Sequence, residues 1–335
     1  MTSDSRRANQ AGDVFAAFLK LGLTSFGGPI AHIGYFRNEF VERRRWLDEQ
    51  SYADIVALCQ LLPGPASSQV GIAIGFLQAG YIGALAAWTA FTLPSALLLV
   101  LFAYGIASAG QLSSQGWIHG LKIAAVAVVA QALLGMIRTL TPDASRASLA
   151  VLAAVIVLAA PSALGQIGAI VVGGLTGLAL LREGASPVQG RLKNLPGRLA
   201  GMMALGLFAV ILVALPLLAA ATGAETVRLF DVFYRVGSLV FGGGHVVLPL
   251  LQAEVVPAGW IGNDAFLAGY GVAQAMPGPL FTFAAYLGAM IGGWSIALLC
   301  LAAIFLPSFL LVMGILPFWN QLRVRPDVQA ALRGV

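Results

Sequence analysis

The sequence predicts an all-α polytopic membrane protein of two homologous halves, an inverted repeat with discontinuous, Gly/Pro-broken helices. Composition is the first reason: of 335 residues, 59% are hydrophobic and 10% charged, against about 25% charged in a soluble domain. Apolar runs are the second. Residues 118–137, 149–181 and 199–222 carry at most one Lys or Arg each, and each is near or above the ~20 residues that cross hydrocarbon. The third is self-similarity at an offset of about 215 residues, since a fixed long period marks a duplicated architecture.

Residues 1–13 read as a polar N-terminal tail without a small-residue cleavage site, so no removable signal peptide is expected. The first repeat runs over 14–181 and the second over 227–335. Phe15, Phe18 and Gly22 fall on Phe230, Phe233 and Gly237; Phe26-Gly27-Gly28 falls on Phe241-Gly242-Gly243, and Glu39 on Glu254. One residue shorter, Trp46 meets Trp260, Gln60 meets Gln274, and Pro63-Gly64-Pro65 meets Pro277-Gly278-Pro279. One shorter again, Gly80 meets Gly293 and Pro94-Ser95 meets Pro307-Ser308. An ordered series with drifting register is homology, not chance. A basic linker occupies 182–198, and 199–222 is an extra transmembrane span without a counterpart ahead of the first repeat. Leu121-Lys122 corresponds best to Leu332-Arg333, so the second repeat reads as incomplete at its C-terminus by about 60 residues of a longer protein.

Loop charge sets orientation, because Lys and Arg accumulate on the cytoplasmic side. The loop after the first segment of repeat one holds Arg37, Arg43, Arg44 and Arg45, whereas its counterpart 252–264 has no Lys or Arg. One loop on, 108–117 has none and 317–333 has Arg323, Arg325 and Arg333. Opposite bias in equivalent loops is what two copies inserted upside down produce, a recurrent design in secondary transporters. A parallel repeat with loose charge bias is the alternative. The net charge of +5 sits mostly in loops and helix ends and therefore implies a bilayer, with no nucleic-acid partner.

Two interruptions recur in both copies. Consecutive glycines at Gly27-Gly28 and Gly242-Gly243 allow positive φ and bare N–H groups. Pro-Gly-Pro around Gly64 and Gly278 stops one helix and presets the first turn of the next. Broken backbone at membrane depth is tolerated where it is buried in protein or lines a watery cavity. Helix N-termini there suit an anion, and Ser68 and Thr282 just past the breaks can donate hydroxyl hydrogen bonds. The bland reading is a mere kink or surface turn; duplication with preserved hydroxyls argues against it.

Cations embedded in apolar runs are functional candidates, since a charge at the bilayer centre costs at least ~2.5–3.5 kcal/mol. Lys20 pairs in register with Arg235, and Lys122 more weakly with Arg333; the alternative is snorkelling to the headgroups. Glu39 and Glu254 are candidates for ion coupling or for salt bridges. His32 and His245 lie near the glycine clusters, either gating or moving protons or serving as structural hydrogen bonders. Gln60 and Gln274 can orient an oxyanion or satisfy freed carbonyls. Cys59 and Cys300 are isolated and read as buried thiols, so neither a metal site nor a cofactor is expected. No HExxH, GxSxG or Walker A pattern and no other catalytic set is present, so the chain reads as no enzyme, and any drive comes from an ion gradient or the membrane potential.

Ser25-Phe26-Gly27-Gly28-Pro29-Ile30-Ala31-His32, Trp46-Leu47-Asp48, Gln60–Pro65 followed by Ser67-Ser68-Gln69, the stretch Phe241–Leu250 and Gln274–Pro279 together resemble the chromate ion transporter family, over nearly the whole chain. The resemblance implies efflux of chromate across the bacterial inner membrane, chromate resistance, and two halves in opposite orientation. The expectation is a secondary active, alternating-access exporter of a tetrahedral oxyanion, held by Lys20, Arg235, the breaks and Ser68 and Thr282. A proton is the candidate coupling ion, and a homo-oligomer is compatible with all of this. The rivals are a transporter of another small anion such as sulfate and, from another class, a membrane-embedded enzyme or scaffold subunit.

Overall fold

Glycine and proline punctuate the chain into helices whose lengths do not match simple membrane crossings. A computed structural model describes residues 3–108, 120, 123, 134, 141, 143–160, 163–180, 192, 195–241 and 246–334. It is all-helical among the described residues. Two compact units result: one of Met1–Val126 with Leu192–Pro317, the other of Ala127–Arg191 with Phe318–Val335.

In the first unit, α1 (Ser3–Thr24) takes in the expected polar tail and buries Val14, Ala17, Phe18 and Leu21. It packs closely on the long helix α4 (Ala66–Ser108) because Gly22 has no side chain: a Cβ there would lie 2.8 Å from the Ala90 and Phe91 carbonyl oxygens. Next comes α2 (Gly28–Arg37), which continues as one π-helical turn over Asn38–Arg43. Asp48 caps α3 (Glu49–Leu61), its Oδ1 accepting from the Ser51 amide at 2.7 Å. Then α4 runs Ala66–Ser108. The second half repeats the order with α8 (Glu225–Leu239), α9 (Val247–Val255), α10 (Asn263–Ala275), a 3-10 turn Leu280–Thr282 and α11 (Phe283–Leu322).

Neither α4 nor α11 is one straight helix. Gly80 (φ 66°, ψ −151°) and Gly293 (φ 76°, ψ −159°) stand at register-equivalent positions in backbone that glycine alone adopts without strain. Residues 75 and 83 of a straight helix would be about 12 Å apart, yet a Cβ on Gly75 would collide with the Gly83 carbonyl, and one on Gly288 would lie 2.5 Å from the Ile296 carbonyl oxygen. The chain reverses there. The arm 66–78 also runs back along α3, since Gln78 Nε2 donates to the Trp46 carbonyl (3.4 Å) near the outer ends of both. Likewise Tyr286 donates its hydroxyl to Ala265 O (2.8 Å). Each half thus holds a re-entrant hairpin with Pro-Gly-Pro at its tip. A 13-residue arm rises about 20 Å, short of the ~30 Å hydrocarbon layer, so neither arm of the hairpin is long enough to cross it alone.

Three helical stretches among the described residues are, by length and composition, long and apolar enough to cross a membrane: Ala66–Ile106, Arg198–Thr222 and Leu280–Leu322, the first and last turning back at Gly80 and Gly293. The middle one, α7 (Arg198–Thr222), exposes Met203, Val210, Val213 and Leu217 and touches α8 through the Tyr234 hydroxyl on the Phe208 carbonyl (3.1 Å). Exposed apolar side chains in a chain so poor in charge face lipid. This is a multi-pass membrane protein.

In the second unit, α5 (Ala144–Ala159) and α6 (Ala163–Leu180) form a helical pair, capped at its start by Asp143 on the Arg146 amide (2.9 Å). Helix α12 (Pro326–Gly334) meets α6 through glycine: a Cβ on Gly177 would lie 2.9 Å from the Gly334 amide nitrogen.

Candidate functional site

The two hairpin tips dock into each other's half. At the first, Gly64 (φ 115°) donates its amide hydrogen to Val240 O at 2.7 Å. At the second, Gly278 (φ 100°) donates to Ser25 O at 2.9 Å. Ser25 and Val240 occupy the same register, each immediately before a Phe-Gly-Gly break. The contacts are reciprocal, as two copies about a two-fold axis require.

Side chains repeat the exchange. A Cβ on Gly64 would come 2.7 Å from the Ser308 hydroxyl, and one on Gly278 2.8 Å from the Ser95 hydroxyl. Both serines are at most 1% exposed. Only glycine fits there, for conformation and for space.

Around the first break the environment is polar although buried. His32 places Nε2 3.2 Å from Ser25 O and Nδ1 3.2 Å from Ser67 Oγ, its ring edge-on to Phe91 at 5.3 Å. A carbonyl only accepts, so Nε2 carries the hydrogen and Nδ1 accepts from the Ser67 hydroxyl. Gln69, fully buried, donates Nε2 to Pro63 O (2.6 Å) and lies 3.4 Å from Ser308 Oγ. Ser25 Oγ, Ser68 Oγ, Gln69 Oε1 and Thr92 Oγ1 are buried with no hydrogen-bond partner among the described residues. Unsatisfied buried polar atoms cost about 1–3 kcal/mol each, and these four belong to the segments that meet at the two tips.

The helix N-termini supply the field. Gly27 (φ 94°) caps α2 with Pro29 in its first turn, and Gly28 (φ 76°) follows. The arm 66–78 starts directly past Pro65, and the 3-10 turn directly past Pro279, where Thr282 donates its hydroxyl to Pro279 O (2.7 Å). Each N-terminus carries roughly half a positive charge and unpaired amides.

The sequence candidates separate into groups. Gly64, Gly278, Ser68, Thr282 and His32 lie at the docked tips or in direct contact with them. Lys20 and Arg235 sit five residues ahead of Ser25 and Val240, each bound to the carboxylate of its own half: Lys20 Nζ to Glu39 at 3.3 Å and Arg235 to Glu254 at 2.9 Å. Glu39 is 4% exposed and also binds Arg43 (2.9 Å) and Arg44 (2.7 Å). Burial pushes its carboxyl up, but Arg44, Arg43 and Lys20 outweigh that and hold it below its ordinary value. The π-helical turn brings Arg43 and Arg44 onto one carboxylate. Arg235 holds Asp231 as well (3.1 Å). Gln60 is exposed, and Gln274 donates to the Tyr270 hydroxyl (2.6 Å). Gly242, Gly243, His245 and Lys122 lie outside the described residues. Sequence reasoning about the site passed over Ser25, Ser67, Gln69, Ser95 and Ser308. The recurrence of Pro-Ser at 94–95 and 307–308 was the available signal.

Paired re-entrant hairpins, reciprocal tips and lipid-facing spans define a multi-pass membrane protein of the broken-helix kind. The sequence pattern of the family described as chromate transporter matches residues 12–178 and 227–335. A probable chromate transport protein of Synechococcus elongatus is 29% identical over 324 residues, covering 95% of this chain and 79% of that protein. A chromate transport protein of Pseudomonas aeruginosa is 29% identical over 300 residues (88% and 70%), and an uncharacterized transporter of Methanocaldococcus jannaschii 27% over 325 (96% and 79%). No solved structure matches the chain. The chain belongs to the chromate transporter family.

Proposed function

We propose that this chain is a secondary active exporter of chromate that works by alternating access, is driven by an ion gradient and confers chromate resistance. The observation that carries the reading is the reciprocal docking of the two Pro-Gly-Pro tips, Gly64 on Val240 and Gly278 on Ser25. It brings the helix starts past both breaks close to buried hydroxyls of the opposite half, which supports a binding place for a tetrahedral oxyanion there. The opposite charge bias of equivalent loops supports an inverted repeat, whose halves exchange conformations as the site opens to one side and then the other.

Lys20 and Arg235 lie about 7.5 Å along their helices from Ser25 and Val240. In this reading each is shared between its carboxylate and the anion, so that anion entry loosens the Lys20–Glu39 and Arg235–Glu254 pairs and links the two acids to transport. His32, bonded to both tips' neighbours, is the second coupling candidate. The names of the relatives support chromate as substrate, and sulfate, alike in shape, is the competing ion. Chromate flux in proteoliposomes with an imposed pH gradient tests the proposal. Flux accelerated by the gradient is expected; correctly inserted protein that moves no chromate with or without a gradient would end it.

A further inference from the structure

Building on that reading, we infer that Gln69 determines specificity by accepting a hydrogen bond from the hydroxyl of a monoprotonated oxyanion. Its amide orientation is not free. Pro63 O, 2.6 Å away, has no hydrogen, so the atom facing it is the Nε2 donor, and Oε1 faces the other way. That oxygen is buried in a fully buried residue without a partner among the described residues. It sits on the first turn of the arm 66–78, next to Ser68, whose hydroxyl is likewise buried and unpartnered. Donors thus dominate this turn, with one fixed acceptor among them.

A fully deprotonated tetrahedral dianion has only acceptors, and Gln69 Oε1 would be left facing one of its oxygens. A monoanion bearing one hydroxyl satisfies both kinds of group: its oxygens take the amides and Ser68, and its hydroxyl donates to Gln69. Charge favours the same species, since the cost of moving an ion from water into a low-dielectric site rises with the square of its charge and is about fourfold lower for a monoanion. Chromate takes up a proton in the neutral range, whereas sulfate does so only in strong acid. The second half has Phe283 at the register of Gln69 and Phe281 at that of Ser67, so this acceptor exists once. Sites that hydrogen-bond a substrate hydroxyl reject analogues lacking it strongly, because a buried polar group is then left unpaired.

Among the described residues Gln69 bonds Pro63 and Ser308, neither titratable. The titratable side chain bonded to the same turn is His32 of α2, through Ser67. The test is uptake of labelled chromate by the full chain in proteoliposomes without a pH gradient, with sulfate as competitor, from pH 6 to pH 8. The chromate-to-sulfate ratio cancels any proton-coupling effect common to both ions. In the wild type we expect sulfate to compete at least about tenfold more weakly, with the preference shrinking as pH rises and chromate loses its proton. Gln69→Leu removes the acceptor but not the charge preference, and should lower the ratio at pH 6 at least about fivefold and weaken its pH dependence. A wild-type ratio that stays constant across this range overturns the inference without any variant, and so does an unchanged ratio in Gln69→Leu. Should that variant not insert, Gln69→Phe, copying the second half's own residue, carries the same expectation. Absence of any chromate uptake by inserted wild-type protein would instead refute the exporter reading itself.

Discussion

The two halves share a backbone and differ in what they hang on it. At the first tip Ser67, Ser68 and Gln69 follow the Pro-Gly-Pro break, and His32 reaches them from α2; at the second, the same register holds Phe281, Thr282 and Phe283, with Val247 opposite His32. The glycine conformations, the docking carbonyls and the serines against each tip are nevertheless duplicated. Geometry is thus common property, while polar chemistry is concentrated on one side. The cation–carboxylate pairs divide similarly. Glu39 is buried under three cations, whereas Glu254 is 36% exposed and has Arg235 as its ion-pair partner.

If symmetric geometry is what transport needs, equivalent changes should hurt equally. The largest effect belongs to the cations: Lys20→Ala and Arg235→Ala should each abolish chromate resistance while membrane insertion persists, as judged by growth on chromate and fractionation. Wild-type resistance in either variant would remove that cation from the site. Next come Gly64→Ala and Gly278→Ala. Each forces a side chain to positive φ, at about 1–3 kcal/mol, and into a serine hydroxyl. Flux should fall at least tenfold in both, and a silent second tip would break the equivalence.

Where the halves differ, the effects should too. Glu39→Gln leaves three cations facing one another and should lower stability by about 2–3 kcal/mol, less than a fully buried pair would because Lys20 and Arg43 are more than half exposed. Glu254→Gln should cost under ~1 kcal/mol. Thermal unfolding in detergent separates the two. A smaller effect follows from pH. Glu39 titrates below its ordinary value in the folded chain, so its stabilisation is complete above the unfolded value of about 4.3 and is lost as pH falls below that. Melting from pH 7 to pH 3 should therefore narrow the gap between wild type and Glu39→Gln. A constant gap would show that the carboxylate's charge contributes nothing.

Much of this was legible beforehand. Glycine and proline at matched offsets exposed both the duplication and the breaks, because backbone needs of that kind are written in residue identity. The cation–carboxylate pairing was half legible: Lys20 to Glu39 and Arg235 to Glu254 are both 19 residues apart, a repeated spacing that hints at contact. The reversals at Gly80 and Gly293 show in the sequence only as register matches, since an isolated glycine in an apolar run does not say whether a helix bends or turns back. Ser95 and Ser308 escaped for another reason. Their partners lie across the molecule in the opposite half, and no local pattern encodes a contact between segments so far apart.

That separation has a consequence for biogenesis. The carbonyl that receives the Gly64 amide belongs to Val240, which leaves the ribosome about 176 residues later. At roughly 5–20 residues per second, the first tip waits on the order of ten to thirty-five seconds with an unsatisfied amide, in or beside the bilayer, before its acceptor is made. Insertion machinery or neighbouring lipid headgroups must shelter that half-built hairpin in the interval.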